Sequence, residues 1–248
     1  MIRAVIFDLD GTLVQTETIK AASYGEAAVE LCPSCANVEE VTNAFKDVVG
    51  RSRQEVSQDL MDRFHLESAT RKKMSKLNVR EPWEAFVETR LRIYEKMLAD
   101  PQMLRSHQLQ HNIDLLHRVH SMSLKTALAT TSEREPTNHI LEVLGIEDQF
   151  DLIATAEDVK KTKPDPEIYL LISYKFDIPP KECLAIEDSP PGVQSALSAG
   201  AWCIAVTTPF TMKVIHESGL LDDRWIVDNP DALDSVFRSM LEERSHES

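Results

Sequence analysis

Six short apolar runs punctuate the chain: "AVIF" at 4–7, "LKTALA" at 124–129, "DLIAT" at 151–155, "CLAI" at 183–186, "CIAV" at 203–206 and "WIV" at 225–227. Helical patterns fill most of the gaps between them. Strands alternating with helices predict a parallel sheet with helices on both faces. The runs are apolar at nearly every position, as strands buried on both sides require. The predicted class is therefore α/β, with a doubly wound, Rossmann-like parallel sheet. Residues 18–100 break the alternation, because only helical periodicity is found there. One pattern covers 19–31 and another 38–49, and the capping box "SRQE" at 52–55 opens a third. Over 82–98, Trp83, Phe86, Val87, Tyr94 and Leu98 fall near one face. The expected organisation is a core of residues 1–16 and 101–248, interrupted after its first strand by an all-helical insert of residues 17–100.

Helix boundaries are written into the core as well. "SERE" at 132–135 reads as a capping box, Ser132 to Glu135, for a helix that ends at Gly145. Asp165 reads as an N-cap with Pro166 at the first helical position. Ser189 caps a further helix that closes at Gly200. The polar tail "EERSHES" reads as frayed.

Composition narrows the function. At 248 residues, 42% hydrophobic and 27% charged, the chain can bury one large core or two modest ones. No apolar run approaches the ~20 residues that span a bilayer, and the first residues do not read as a signal peptide, so a cytoplasmic protein is expected. A net charge of −14 argues against a broad nucleic-acid-binding face. A small anion could still bind, but only through a local cluster of cations or a metal. Cys32 and Cys35 in "CPSC" have C-x-x-C spacing, which fits redox or zinc chemistry. With no second pair nearby, a helix end followed by a proline turn is the preferred reading, since zinc normally takes four ligands. His107 and His111 in "HQLQH" are spaced i,i+4 but lack the glutamate of a zinc-protease helix.

In open parallel sheets, ligands bind beyond the carboxyl ends of the strands. Asp8 and Asp10 follow the first run, and on a continued strand they would face the same way. Thr130, Thr131 and Ser132 follow the second, Lys163 lies in the loop after the third, and Glu187 and Asp188 follow the fourth. Four carboxylates gathered at one edge call for a hard cation such as Mg²⁺. The added lysine and hydroxyls call for a phosphoryl group. A carboxylate nucleophile can divide the hydrolysis of a phosphate monoester into two easier steps. Asp8, nearest the strand end, suits the nucleophile, and Asp10 the general acid/base. Gly11 permits the tight bend that brings backbone amides near a phosphate.

"DLDGT" at 8–12, Thr130, "TKP" with Lys163, and "IEDSPPGVQSALSAGAWCIAV" at 186–206 resemble the four motifs of the haloacid dehalogenase-like superfamily. The likeness is to its phosphatases and phosphomutases with a helical cap. It implies that the insert at 17–100 is such a cap and that Thr130, with Thr131 beside it, and Lys163 bind the phosphoryl group. It implies Mg²⁺ held by Asp8, the Asp10 carbonyl and Asp188, with Glu187 ligating directly or through water. "VVGRSRQEV" at 48–56 is similar to the cap segment of β-phosphoglucomutase and its relatives, with Arg53 at the phosphate-contacting place and Arg51 beside it. Arg90, four residues before Tyr94, matches a basic cap position, and Thr16 is retained at the cap entrance. Gln15 and Lys20 stand where the mutase has an aspartate and a histidine, a departure that favours hydrolysis. The expected substrate is a small phosphorylated metabolite and the expected assembly a monomer or weak homo-oligomer, with no nucleic-acid or membrane partner.

Overall fold

A computed structural model describes residues 1–49 and 51–245. In chain order its elements are β1 (Ala4–Phe7), α1 (Thr16–Leu31), α2 (Val38–Phe45), α3 (Arg53–Arg63), α4 (Glu67–Leu77), α5 (Pro82–Leu98), α6 (Pro101–Ser106), α7 (Gln110–Ser121), β2 (Lys125–Ala129), α8 (Arg134–Leu144), β3 (Leu152–Ala154), α9 (Glu167–Phe176), β4 (Cys183–Glu187), α10 (Pro190–Ala199), β5 (Trp202–Val206), α11 (Met212–Ser218), β6 (Ile226–Val227) and α12 (Leu233–Ser245). They form two compact units, one of Met1–Gln15 with Leu104–Ser248 and one of Thr16–Met103.

The first unit is a six-stranded sheet of order β3-β2-β1-β4-β5-β6, parallel throughout. The chain winds outward from β1 to one edge, then returns to β4 on its other side, so the order reverses between β1 and β4. That is the switch point at which such sheets bind ligands. The register sets Ala4 opposite both Lys125 and Cys183, and Phe7 opposite both Leu128 and Ile186. Along β1, Ala4 and Ile6 belong to a cluster with Ala127, Ile168, Tyr169, Ile172 and Val193, beneath α9 and α10. The period of two sends Val5 and Phe7 to the opposite face, where Phe7 meets Phe150 edge-on at 6.5 Å. All four β1 side chains are fully buried, at about 1.5–3 kcal/mol for each large aliphatic or aromatic one.

The second unit is helical throughout. The Ser52–Glu55 capping box opens α3 as expected, and Asn37 caps α2. On α5, Phe86 and Val87 are buried with Arg90, Ile93 and Met97, while Trp83, Tyr94 and Leu98 lie half-buried at the margin. Cys32 and Cys35 are joined by a disulfide, where the preferred reading of the sequence was a helix end and proline turn, with redox or zinc chemistry as the alternatives. The α1 helix does end at Leu31, but the turn after it brings the two sulfurs together. Cys183 and Cys203 are free and buried; burial pushes the Cys183 thiol up to about 11 and that of Cys203 well above its ordinary value, so neither is a ready nucleophile.

Several expected boundaries shift. Pro166 takes the N-cap position of α9, and Asp165, one residue earlier, accepts from the Glu167 N–H. His107 precedes α7, so it does not share a helix face with His111. The α12 helix runs through Glu242–Ser245 of the expected frayed tail, and residues 246–248 lie outside the described residues, as does Gly50. Among the described residues no helix is long and apolar enough to cross a membrane.

On the first unit's surface, exposed His216 of α11 lies 3.0 Å from Asp228 and 3.4 Å from Asp223. Its hydrogen bond to Asp228, followed by the charges of both acids, raises its pKa above 6.5. A raised value means that the folded state binds the proton more tightly than the unfolded chain. The stabilisation is therefore complete below about pH 6.5 and is lost as pH rises through the folded-state value. We expect His216→Gln to lower Tm at pH 5.5 and to melt with the parent at pH 9, measured by calorimetry across that range; a constant offset would contradict the assignment.

Candidate active site

The site stands at the carboxyl ends of β1 and β4. Asp8 continues the β1 ladder, its N–H donating to the Ile186 carbonyl at 3.0 Å, and the residue is 6% exposed. The chain then turns sharply: the Leu13 and Val14 N–H groups donate to the Leu9 carbonyl, and that of Gly11 to the Val14 carbonyl. Gly11 has φ +87°, and a Cβ there would sit 2.0 Å from an Asp188 carboxylate oxygen. Glycine is thus required twice over, for its backbone angle and for the space it yields to an acid. Asp8 and Asp10 both lie beyond the last residue of β1, Asp10 at the start of this turn, and the Asp10 charge is close enough to act on Asp8.

Lys163 joins the strand ends. Its Nζ donates to Asp8 Oδ1 at 2.7 Å, Glu187 Oε1 at 2.5 Å and the Ala129 carbonyl at 2.8 Å. Those three bonds use all the donors of an ammonium group. Glu187, completely buried, also accepts from the Tyr169 hydroxyl at 2.7 Å, and its other oxygen accepts from the Asp188 N–H at 3.2 Å. Gly192 of α10 closes the far side, where a Cβ would lie 1.9 Å from Glu187 Oε2. Oxygens of Asp8, Glu187 and Asp188 lie within 4.8 Å of one another, all three residues buried.

One ammonium against three buried carboxylates leaves negative charge unbalanced. Burial, with further repulsion from Glu187 and Asp10, pushes Asp8 up to about 7 despite the attraction of Lys163. Burial alone would lower the pKa of Lys163, but Asp8 and Glu187 raise it above its ordinary value, and the lysine stays charged. A hard divalent cation suits such an all-oxygen set and would relieve the repulsion. The donor set thus fits a magnesium-type ion, with Asp8 and Asp188 the better placed ligands. Glu187 Oε1 is already committed to Lys163 and Tyr169, while its Oε2 accepts longer bonds from the Asp188 N–H and the Ser189 hydroxyl.

Thr130 is buried behind β2, its N–H bonded to the Ala154 carbonyl. Its hydroxyl accepts from the Ser132 N–H at 3.0 Å and lies 3.5 Å from Asp10 Oδ2. Thr131 is exposed. Ser132 does not cap α8: Glu133 holds the N-cap position without a side-chain bond, and Ser132 Oγ donates instead to Asp10 Oδ2 at 2.6 Å. A serine cap bond is typically worth about 1 kcal/mol, so the helix forgoes a stabilisation that its sequence offers. Sequence reasoning also passed over Tyr169, which sits in an apolar stretch and reads as core.

The remaining expected site residues belong to the helical unit. Arg51 is exposed and lies 3.4 Å from Asp59. Arg53 opens α3, also exposed. Arg90 is 4% exposed, unlike most arginines. Its guanidinium lies over the rings of Tyr94 and Tyr24, with centroids at 4.3 and 5.1 Å. Its Nε donates to Ser23 at 2.9 Å, while a buried Nη2 has no hydrogen-bond partner among the described residues. Thr16, the first residue of α1, is buried with its hydroxyl likewise unbonded.

A sequence model of the haloacid dehalogenase-like hydrolases matches residues 5–206. A phosphorylated carbohydrates phosphatase of Thermotoga maritima is 28% identical over 204 residues, 79% of this chain and 81% of its own. A phosphoglycolate phosphatase of Salmonella typhi is 29% identical over 209 residues, 83% of this chain and 81% of its own. Among solved structures, a Thermotoga maritima protein provisionally described as a β-phosphoglucomutase superposes with a TM-score of 0.71 at 25% identity, covering 96% of this chain and 99% of that one.

The Tyr169–Glu187 bond gives a direct test of the buried network. Tyr169→Phe removes a donor to a buried carboxylate, and we expect a loss of about 1.5–3 kcal/mol in urea unfolding. The control Tyr174→Phe, at a side chain 81% exposed on the same helix, should leave stability unchanged.

Proposed function

Because this chain belongs to the haloacid dehalogenase-like hydrolases, we propose that it is a Mg²⁺-dependent phosphatase working through an aspartyl-phosphate on Asp8. The observation that carries this reading is the Lys163 ammonium bound to both Asp8 and Glu187, with Asp188 closing the acidic cluster. Asp8 attacks phosphorus and the ester oxygen leaves with a proton from Asp10. In the second step water gives a proton to Asp10, its oxygen bonds to phosphorus, and the bond to Asp8 breaks. Lys163 stays charged and offsets charge on the phosphoryl oxygens. Thr130 donates to the same group, with Thr131 at its edge. Glu187 holds Lys163 in place. Asp8, Asp188 and the Asp10 carbonyl would hold Mg²⁺, which supplies neutralising charge to the phosphoryl oxygens.

The substrate class is a small phosphorylated metabolite, most simply a sugar phosphate or similar polyol ester. The phosphatases to which the chain is similar support this. Recognition of the substrate's remaining polar or anionic groups is assigned to Arg53, Arg51, Arg90 and Thr16. The same reading makes the enzyme cytoplasmic and a monomer or weak homo-oligomer. A phosphomutase is the second reading, favoured by the likeness to a protein described as one. Gln15 and Lys20 count against it, since lysine is a poor proton shuttle near neutrality. Inorganic phosphate release against sugar-phosphate interconversion separates the two.

Asp8→Asn should abolish phosphate release from p-nitrophenyl phosphate while leaving Tm within a few degrees of the parent; appreciable turnover would refute the nucleophile. Mg²⁺ at millimolar concentration should raise the parent's Tm by several degrees, as any ligand of the folded state does, and Asp188→Asn should remove that shift. Equal shifts in both proteins would locate the ion elsewhere.

A further inference from the structure

Ser132 has the sequence pattern of a helix cap, yet its hydroxyl bonds Asp10. We propose that it is a positioning residue for the acid/base Asp10, a refinement that rests on the phosphatase reading above. Among the described residues, the Asp10 carboxylate receives hydrogen bonds from Ser132 Oγ at 2.6 Å and, more weakly, Thr130 Oγ1 at 3.5 Å, both on Oδ2. Lys163 has no donor left for it, being committed to Asp8, Glu187 and the Ala129 carbonyl. Ser132 is itself fixed at both ends: its N–H donates to Thr130 Oγ1 at 3.0 Å, and its carbonyl accepts from the Ala156 N–H at 3.1 Å. The hydroxyl thus reaches Asp10 from a braced segment.

The bond decides which oxygen does the chemistry. With Oδ2 accepting from Ser132, the transferable proton belongs on Oδ1. In the first step the Oδ1–H bond breaks and the proton goes to the ester oxygen as its bond to phosphorus breaks. In the second, Oδ1 takes a proton from the water whose oxygen bonds to phosphorus. A group that fixes the acid matters most where protonation of the leaving oxygen is most needed.

The test compares phenyl phosphate with p-nitrophenyl phosphate, whose phenolate leaves readily without a proton. kcat/KM covers the steps through loss of the phenol and omits hydrolysis of the aspartyl-phosphate. With Mg²⁺ present, Ser132→Ala should lower kcat/KM about tenfold or more on phenyl phosphate and less than about threefold on p-nitrophenyl phosphate. Ser132→Thr, which keeps the hydroxyl, should recover most of the loss. Should the alanine variant unfold, Ser132→Cys, a weak donor of similar shape, is read in its place. An equal fall on both esters, or a rise in KM alone, would make Ser132 a substrate contact and overturn the proposal, as would no effect. If the parent hydrolyses neither ester, the phosphatase reading itself fails and this refinement goes with it. Hydrolysis by the parent with no leaving-group dependence in the variant removes only the refinement.

Discussion

A single ammonium group shared between two buried carboxylates organises the first unit's functional edge. Lys163 comes from the loop after β3, Asp8 from the end of β1 and Glu187 from the end of β4. Breaking the set would leave charge stranded out of water, and removing one partner of a buried ion pair costs far more than any exposed pair contributes. The surroundings are arranged accordingly. Tyr169 holds Glu187 from below, Gly192 leaves room for its carboxylate, and Gly11 leaves room for Asp188. The cluster remains short of positive charge even so, and Asp8 has a raised pKa, pushed up first by burial and further by the charges of Glu187 and Asp10.

Much of this was legible because the signals are local. Strand runs, the Ser52 and Ser189 caps and the glycine helix ends are written within a few residues of the structures they specify. The acids and the lysine were legible for a different reason. Charged side chains directly after apolar runs have few structural excuses, and the topology rule for open sheets supplies the place where they meet. What escaped were groups whose partners are distant in sequence. Ser132 finds Asp10 across 122 positions and Tyr169 finds Glu187 across 18. A serine three residues before a glutamate is equally well explained by a helix cap, so nothing nearby betrayed the longer bond.

Arg90 illustrates the same limit in the helical unit. Its spacing from Tyr94 was plain, but its burial was not, because an arginine on an amphipathic helix ordinarily points to water. Two tyrosine faces and Ser23 replace that water. The disulfide is parallel to it: C-x-x-C permits a bond, yet whether the sulfurs meet depends on the turn that follows α1. Pattern states which interactions are allowed, and the path of the backbone selects among them.

The Asp8 N–H bond to the Ile186 carbonyl has a further implication. The spacing between the first acid and the Glu187–Asp188 pair is fixed by the repeat distance of neighbouring strands, with Phe7 held opposite Ile186. Side-chain flexibility contributes little to it. Such a ruler is insensitive to substitutions on helices and loops, so long as the ladder stays in step. Sliding β1 by a single residue would turn Asp8 away from Glu187 and Asp188. Engineered or natural variants could therefore remodel nearly all of the surface and keep the carboxylates at their separation, whereas a one-residue deletion in the segment between Ala4 and Asp8 would dismantle the constellation outright.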